Sequence, residues 1–351
     1  MLSSSHTSQD AWLETLSSVQ LVADTGTSTS TELAPGKRDA ELWFEDGNLV
    51  LVAGDTEFKV YRGPLIAHSP VFKDMLSLPQ REERDQSEPS TSRACPVIPL
   101  YDSPDDLRHV LRVFVPGRSL RAGYSEPSYD EVSACIRLGH KYQIEDLLQR
   151  NLEYLQKYYP ADFDAYVAAR RHRPANLKPV HAIGVVNLAR LTGTDALLPA
   201  ALMECCTLGA DIVHGLKRAD GTIETLSPED LGRCFVGRAR MAQASARIAH
   251  QMFRQTVARG CRHPACCLRV LQRLLNELGD ARIELVSNLD WCISWAGYVD
   301  DKDEERELCG KCYKMLEEDR PRQLQREVWQ ILPTMMGVTV ERWGEKAKGD
   351  A

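Results

Sequence analysis

The sequence predicts an α+β fold: a short β-sheet flanked by helices, followed by an all-α C-terminal domain. Three observations carry this expectation. Between residues 42 and 61, β-type runs are separated by the turn pair Gly54-Asp55. From Pro64 to Pro160, apolar residues recur mostly at helical spacing, interrupted by one strand-like run, "CPVIPL". Beyond residue 160 the helical spacing is nearly unbroken.

Residues 1–38 hold many Ser and Thr, as in "TGTSTSTELAPG", and are expected to form a disordered tail. Within them "DAWLETLSSVQLV" could form a short helix, read as a transient helical turn of the tail or as a docking peptide. "NLVLVAG" ends at Gly54, and "TEFKVYR" alternates Phe58, Val60 and Arg62 against Glu57, Lys59 and Tyr61. The two are expected to form a hairpin. Gly63-Pro64 then breaks the strand, and Pro64 suits the first position of a helix because its missing N–H has no partner to lose there. Leu65, Phe72, Met75 and Leu76 share one helical stripe, interrupted at Ser69-Pro70, where Ser69 is the expected cap of a new helix.

A charged loop, "PQREERDQSEPSTSR", precedes the strand "CPVIPL". Ser103 and Pro104 open a helix with Leu107, Val110, Leu111 and Phe114 inward and two Asp at its positive end. "YDEVSACIRLGHKY" and "IEDLLQRNLEYLQKYY" form a second helical pair that closes at Pro160. The expected division is therefore 1–38 tail, 39–160 α+β domain and 161–346 helical domain.

In the helical part, Ser227-Pro228 opens a helix expected to run to Gly260. Its expected buried stripe is Phe235, Val236, Ala239, Met241, Ile248, Met252, Phe253 and Val257. "PACCLRVLQRLLNELG" turns Leu268, Leu271, Leu274, Leu275 and Leu278 inward. "LQREVWQILPTMMG" is a terminal helix broken at Pro333. "ARRHRPANLK" reads as a solvated basic linker, with nuclear import or phosphate contact as the other reading. "DDKDEERE" reads as an acidic helix start.

The chain has 351 residues, 43% apolar, and a net charge of −7. This length suggests about two domains. The acidic balance argues against a bulk nucleic-acid binder, and no apolar run reaches the ~18 residues of a membrane span. The N-terminal residues have neither the basic start and apolar core of a secretory leader nor any Arg before Arg38, so a cytoplasmic or nuclear location is expected. The 11 Cys, odd in number and irregularly spaced, are expected to be reduced there.

These cysteines hold the one constellation with chemistry. Cys261, Cys266, Cys309 and Cys312, in the region 261–312, offer four thiolates for a tetrahedral zinc, with His263 and Cys267 as substitutes. Loop closure grows only as the logarithm of loop length, so the long stretch between the pairs is no obstacle. The other readings are small, reduced, buried cysteines, with no cofactor, and a redox dithiol at Cys309 and Cys312. No G-x-S-x-G, H-E-x-x-H, G-x-G-x-x-G or P-loop pattern occurs, and no catalytic residue is assigned. His68 and His140 read as packed or surface residues.

The stretches "WFEDGNLVL", "FKVYRGPLIAHSPVFKDML", "PVIPLYDSPDDLRHVLRVF" and "ACIRLGHKYQIEDLLQRNLEYL" together resemble a BTB/POZ domain over about residues 42–160. The likeness is closest to the BTB proteins abundant in mushroom-forming fungi. It implies a non-catalytic protein-interaction protein, a homodimer or a binder of other proteins. Phe58, Val60, Leu65, Phe72, Met75 and Leu76 would then be the scaffold of its interaction module. Two other roles stay open: substrate adaptor on a cullin scaffold of a ubiquitin ligase, or transcriptional regulator with a C-terminal zinc module. The apolar-x-Glu triplet common in cullin adaptors is missing from "SLPQREERDQSEP". The only candidate for the helix that precedes the first strand in dimerising members, residues 10–22, is separated from that strand by a polar stretch.

Overall fold

The computed structural model describes residues 36–77, 95–115, 126–281 and 288–345. Residues 1–35 of the expected tail, with its short helix, and the charged loop after residue 77 lie outside these residues; the last two residues assigned to the tail, Lys37 and Arg38, instead open a strand.

Three strands come first: β1 (Lys37–Trp43), β2 (Leu49–Ala53) and β3 (Thr56–Val60). β2 and β3 form the expected antiparallel hairpin, with Leu51 opposite Phe58 and Ala53 opposite Thr56. Gly54 sits at the two-residue turn with φ of +57°, where a side chain would be strained. β1 adds in parallel to β3, and β4 (Val97–Leu100) in parallel to β2, giving the order β1-β3-β2-β4.

Helices α1 (Arg62–His68) and α2 (Pro70–Ser77) follow the hairpin. Pro64 falls at the third residue of α1 instead of the first, still within the turn whose N–H groups have no helical partner. Ser69 caps α2 as expected: its buried hydroxyl accepts from the Phe72 amide at 3.0 Å and donates to the Tyr142 carbonyl at 2.6 Å. That second bond ties α2 to the helical pair. α3 (Pro104–Val113) carries Asp105 and Asp106 in its first turn, but Ser103 supplies no side-chain cap. Arg112 grips Glu41 through two hydrogen bonds of 2.8 and 2.7 Å, and Arg108 reaches Asp39 at 2.8 Å, so α3 clamps the β1 edge.

The pair α4 (Tyr129–Lys141) and α5 (Glu145–Tyr158) serves two cores at once. Cys135, Leu138 and Leu147 pack with Leu51, Phe58 and Phe72 in the first core. Val132, Ile136, Leu148, Leu152 and Leu155 pack into the second, helical core. Contacts unite the described residues from Lys37 onward in one compact unit.

The second half comprises α6 (Phe163–Arg171), α7 (Ala182–Thr192), α8 (Leu198–Cys205) and α9 (Asp211–His214). A two-stranded ribbon, β5 (Leu216–Lys217) with β6 (Ile223–Glu224), was not expected from the sequence. Then come α10 (Pro228–Met252), α11 (Pro264–Ala281), α12 (Ala296–Lys302) and α13 (Gly310–Lys314). A π-helical turn, Met315–Asp319, leads into α14 (Arg320–Gln330) and α15 (Leu332–Met336). The ribbon ties back to the first unit, since Glu224 pairs with Arg137 at 2.7 Å and Arg218 pairs with Asp106.

Three expectations fail here, two of them in part, for physical reasons. α10 ends at Met252; Met241, Ile248, Met252 and Phe253 are buried as expected, but Phe235 and Val236 are 61% and 50% exposed and Ala239 is exposed, because the first turns bury Cys234 and Gly237 instead. The basic run at 169–178 is solvated as expected at Arg170, Arg171, His172 and Lys178, but it is pinned and not a free linker: Arg170 forms two bonds to Asp290, and Arg173 binds Glu204, the Tyr159 hydroxyl and the Leu177 carbonyl. "DDKDEERE" ends a helix, α12, and its Asp303 turns inward to order the next loop.

Candidate metal centre and interaction face

The candidate metal centre is assembled from two loops and the helix starts that follow them. The loop after α10 is fixed by Arg320, which is buried and donates to the carbonyls of Met252 and Thr256 at 2.5 and 2.7 Å. This loop ends in Cys261, and Cys267 lies in the first turns of α11. The second loop is fixed by Asp303, 5% exposed, whose two oxygens accept from the amides of Glu307 and Leu308 at 3.0 and 3.1 Å. Arg273 of α11 pairs with Glu307 at 2.8 Å and lies 3.6 Å from Asp303. The chain then delivers Cys309 at the cap of α13 and Cys312 one turn on.

The sulfurs of Cys261, Cys267, Cys309 and Cys312 all lie within 4.8 Å of one another. Cys261 is 3.6 Å from Cys267 and 3.7 Å from Cys309. A zinc ion with four sulfurs at about 2.3 Å spaces them about 3.8 Å apart on a tetrahedron. A disulfide would need about 2.05 Å. Backbone amides are aimed at the sulfurs: Ala258 at Cys312 (3.4 Å) and Cys309 at Cys267 (3.5 Å). Such donors are strongest toward thiolate and are the outer shell a metal-bound sulfur requires. Among the clustered thiols, burial raises Cys267 and Cys312, whereas at Cys309 the burial that opposes ionisation is outweighed by the amides of Cys312 and Arg262 together with the Cys261 and Cys312 thiols, which lower it to about 6. The four residues thus fit a zinc ion by donor type, spacing and outer shell.

Three of the four sequence candidates, Cys261, Cys309 and Cys312, come together. The fourth place is taken by Cys267, not Cys266. Cys266 points to the Glu307 carbonyl at 3.7 Å. Adjacent residues on a helix diverge by roughly 100°, so only one of the pair can face the cluster. His263 is exposed and outside it.

The expected interaction scaffold is interior. Phe58, Val60, Leu65 and Phe72 are at most 5% exposed, and Met75 and Leu76 pack onto the same core. They hold up a surface without forming it. Among the described residues of this unit, the exposed large apolar side chains are Val97 (55%) on β4, an edge strand of the described sheet, Tyr101 just beyond it, fully exposed, and Val113 on α3. Sequence reasoning read this segment as a strand but not as a surface. The signal was its alternation: Ile98 and Leu100 point inward, Val97 and Pro99 outward.

A small mixed sheet closed by α1–α3 and backed by an antiparallel helical pair defines an α+β interaction unit. It is a BTB/POZ domain: residues 44–159 match that family. No curated protein matches the chain. Among the described residues no helix is long and apolar enough to cross a membrane.

Proposed function

We propose that this chain is a non-catalytic protein-interaction protein. Its BTB/POZ domain associates with a second copy or another protein, and the helical half braces it. The observation that carries the reading is the BTB/POZ match over residues 44–159, the family being a set of protein-interaction modules. The exposed apolar side chains at β4 supply surface whose burial drives association, worth about 25 cal/mol per Å² before the costs of docking. An edge strand also presents backbone donors and acceptors to a partner.

The helical half holds one structural zinc on Cys261, Cys267, Cys309 and Cys312. The ion clamps the start of α11 to the start of α13, and no chemical step is assigned to it. We place the protein in the cytoplasm or nucleus, where such thiols stay reduced. The likeness to fungal BTB proteins rests on the motifs quoted above.

Light scattering across a concentration series tests the association. A dimer that dissociates on Tyr101→Asp with Val97→Asp supports self-association through β4. A dimer unaffected by these changes moves the contact elsewhere. A chain that stays monomeric at all concentrations, and retains neither a cullin nor any other partner on purification from its native cell, overturns the reading.

A further inference from the structure

A cavity of about 580 Å³ opens between the loop 254–259 and the segment running from α13 into α14. Its lining carries five cations, Arg254, Arg259, Lys311, Lys314 and Arg320, against one carboxylate, Asp319. The whole chain is net negative, at −7, so this positive charge is a local concentration.

Neighbouring groups among the described residues do not consume it. Arg254, Arg259 and Lys311 enter no ion pair with another described residue, and Lys314 makes only a loose 3.7 Å contact to Glu318, both side chains being largely exposed. Arg320 is 5% exposed, and its hydrogen bonds go to uncharged acceptors, carbonyls and the Thr256 hydroxyl. Its charge is therefore unneutralised within the cavity wall, where little water screens its field. The zinc centre behind Ala258 offsets a part. Four thiolates on one zinc ion carry a net charge of −2, which together with Asp319 leaves about two positive charges over.

The lining selects among anions. No aromatic side chain is present to stack a base, the usual second component of a single-stranded nucleic-acid site. Its apolar side chains are three, Val257, Ala258 and Met315, with no Leu, Ile or aromatic residue among them to wall an anchor pocket for a peptide. Thr256 and Gln323 add uncharged polar groups, and the volume falls within the roughly 300–1,000 Å³ of small-ligand sites.

We propose that this cavity binds a compact polyphosphate: a small ligand with two or more adjacent phosphate groups, free in solution or borne as a lipid headgroup. Arg254, Arg259, Lys311 and Lys314 are its direct contacts, and Arg320 supplies fixed charge from the wall. This site is independent of the BTB/POZ surface.

The test titrates the zinc-loaded full chain with inorganic pyrophosphate at near-physiological salt by calorimetry. Zinc content is measured before and after. In parallel, the protein is sedimented with phosphatidylcholine vesicles with and without a polyphosphoinositide. The expected result is one saturable pyrophosphate site with zinc retained, weakened about ten-fold or more in Arg259→Glu/Lys314→Glu. Should that variant fail to fold, Arg259→Gln/Lys314→Gln takes its place. Sedimentation with the phosphoinositide vesicles alone, competed by pyrophosphate, assigns the lipid source; pyrophosphate binding without sedimentation assigns the soluble one. The proposal is overturned by any of three results: no saturable binding at millimolar pyrophosphate, undiminished affinity in the charge variant, or loss of zinc in that variant. The last would mean that the cations only balance the thiolates.

Discussion

Gly184 of α7 lies against Tyr129 of α4, and Gly184→Ala measures how tightly the BTB/POZ domain is joined to the helical half. A Cβ at Gly184 would stand 1.8 Å from the Tyr129 hydroxyl oxygen, 2.9 Å from its Cζ and 3.1 Å from Leu216 Cδ2. The hydroxyl would have to withdraw by about 1.6 Å to reach the 3.4 Å at which ordinary contact begins. Tyr129 has little room: it is 5% exposed and stacks on His181 at 4.3 Å with the rings 13° apart. Overpacking of this kind costs about 1–3 kcal/mol, and the size of the overlap puts the expectation at the upper end. With a urea slope of about 3 kcal/mol per M, the unfolding midpoint falls by roughly 1 M. The assay is equilibrium urea unfolding followed by tryptophan fluorescence, with Trp291, Trp295, Trp329 and Trp343 all in the helical half. Tyr129→Phe removes the nearest atom and leaves the 2.9 Å contact, so the double variant recovers part of the loss, a coupling of about 1 kcal/mol or more. Additive single effects, or a Gly184→Ala protein within about 0.5 kcal/mol of the parent, would refute the close approach.

Three further outcomes are expected. Elemental analysis finds one zinc per chain, lost in Cys267→Ser or Cys309→Ser and kept in Cys266→Ser. Metal loss forfeits much of the ~10–16 kcal/mol that structural zinc contributes, seen as faster amide exchange at Ala258 and Cys309; the reverse behaviour of Cys266 and Cys267 would sink the assignment. Burial lowers the His181 pKa to about 4, and its Nδ1 accepts from the Lys178 amide at 3.1 Å. The unfolded chain titrates near pH 6.5, so this stability is complete above about 6.5 and is lost as pH falls toward about 4. His181→Gln should therefore show a smaller acid loss, and identical acid profiles would disprove the role. Ser69→Ala leaves the Tyr142 carbonyl and the Phe72 amide short of a buried partner and should cost about 1–3 kcal/mol by urea unfolding.

Local chemistry was legible in the sequence where one residue type dictates one backbone state. Gly54-Asp55 marked the hairpin, and Ser69 and Ser227 marked helix starts that they do cap; the Ser227 hydroxyl accepts from the Asp230 amide at 3.1 Å. Phase was harder to read. Cys266 and Cys267 are equivalent in a sequence, and only the packing of α11 against the 303–309 loop decides which faces the cluster. Phe235 and Val236 looked like core on hydrophobicity, yet Cys234 and Gly237 hold the buried line because α10 packs closely on Cys206 and Met336. "DDKDEERE" misled because a carboxylate can satisfy loop amides as readily as helix amides, and Asp303 does the former. The cavity beside the four-cysteine cluster draws its cations from positions up to 66 apart, Arg254 to Arg320, which no local pattern links.

The two-sided helices α4 and α5 limit how this architecture can be cut and reused. A fragment ending where the family match ends, at residue 159, would bare Val132, Ile136, Leu152 and Leu155 to water along one whole flank. Such a piece should clump or melt instead of standing alone. Any genetic shuffling that transplanted this BTB/POZ domain would have to carry its helical companion with it, or resurface that flank with polar residues.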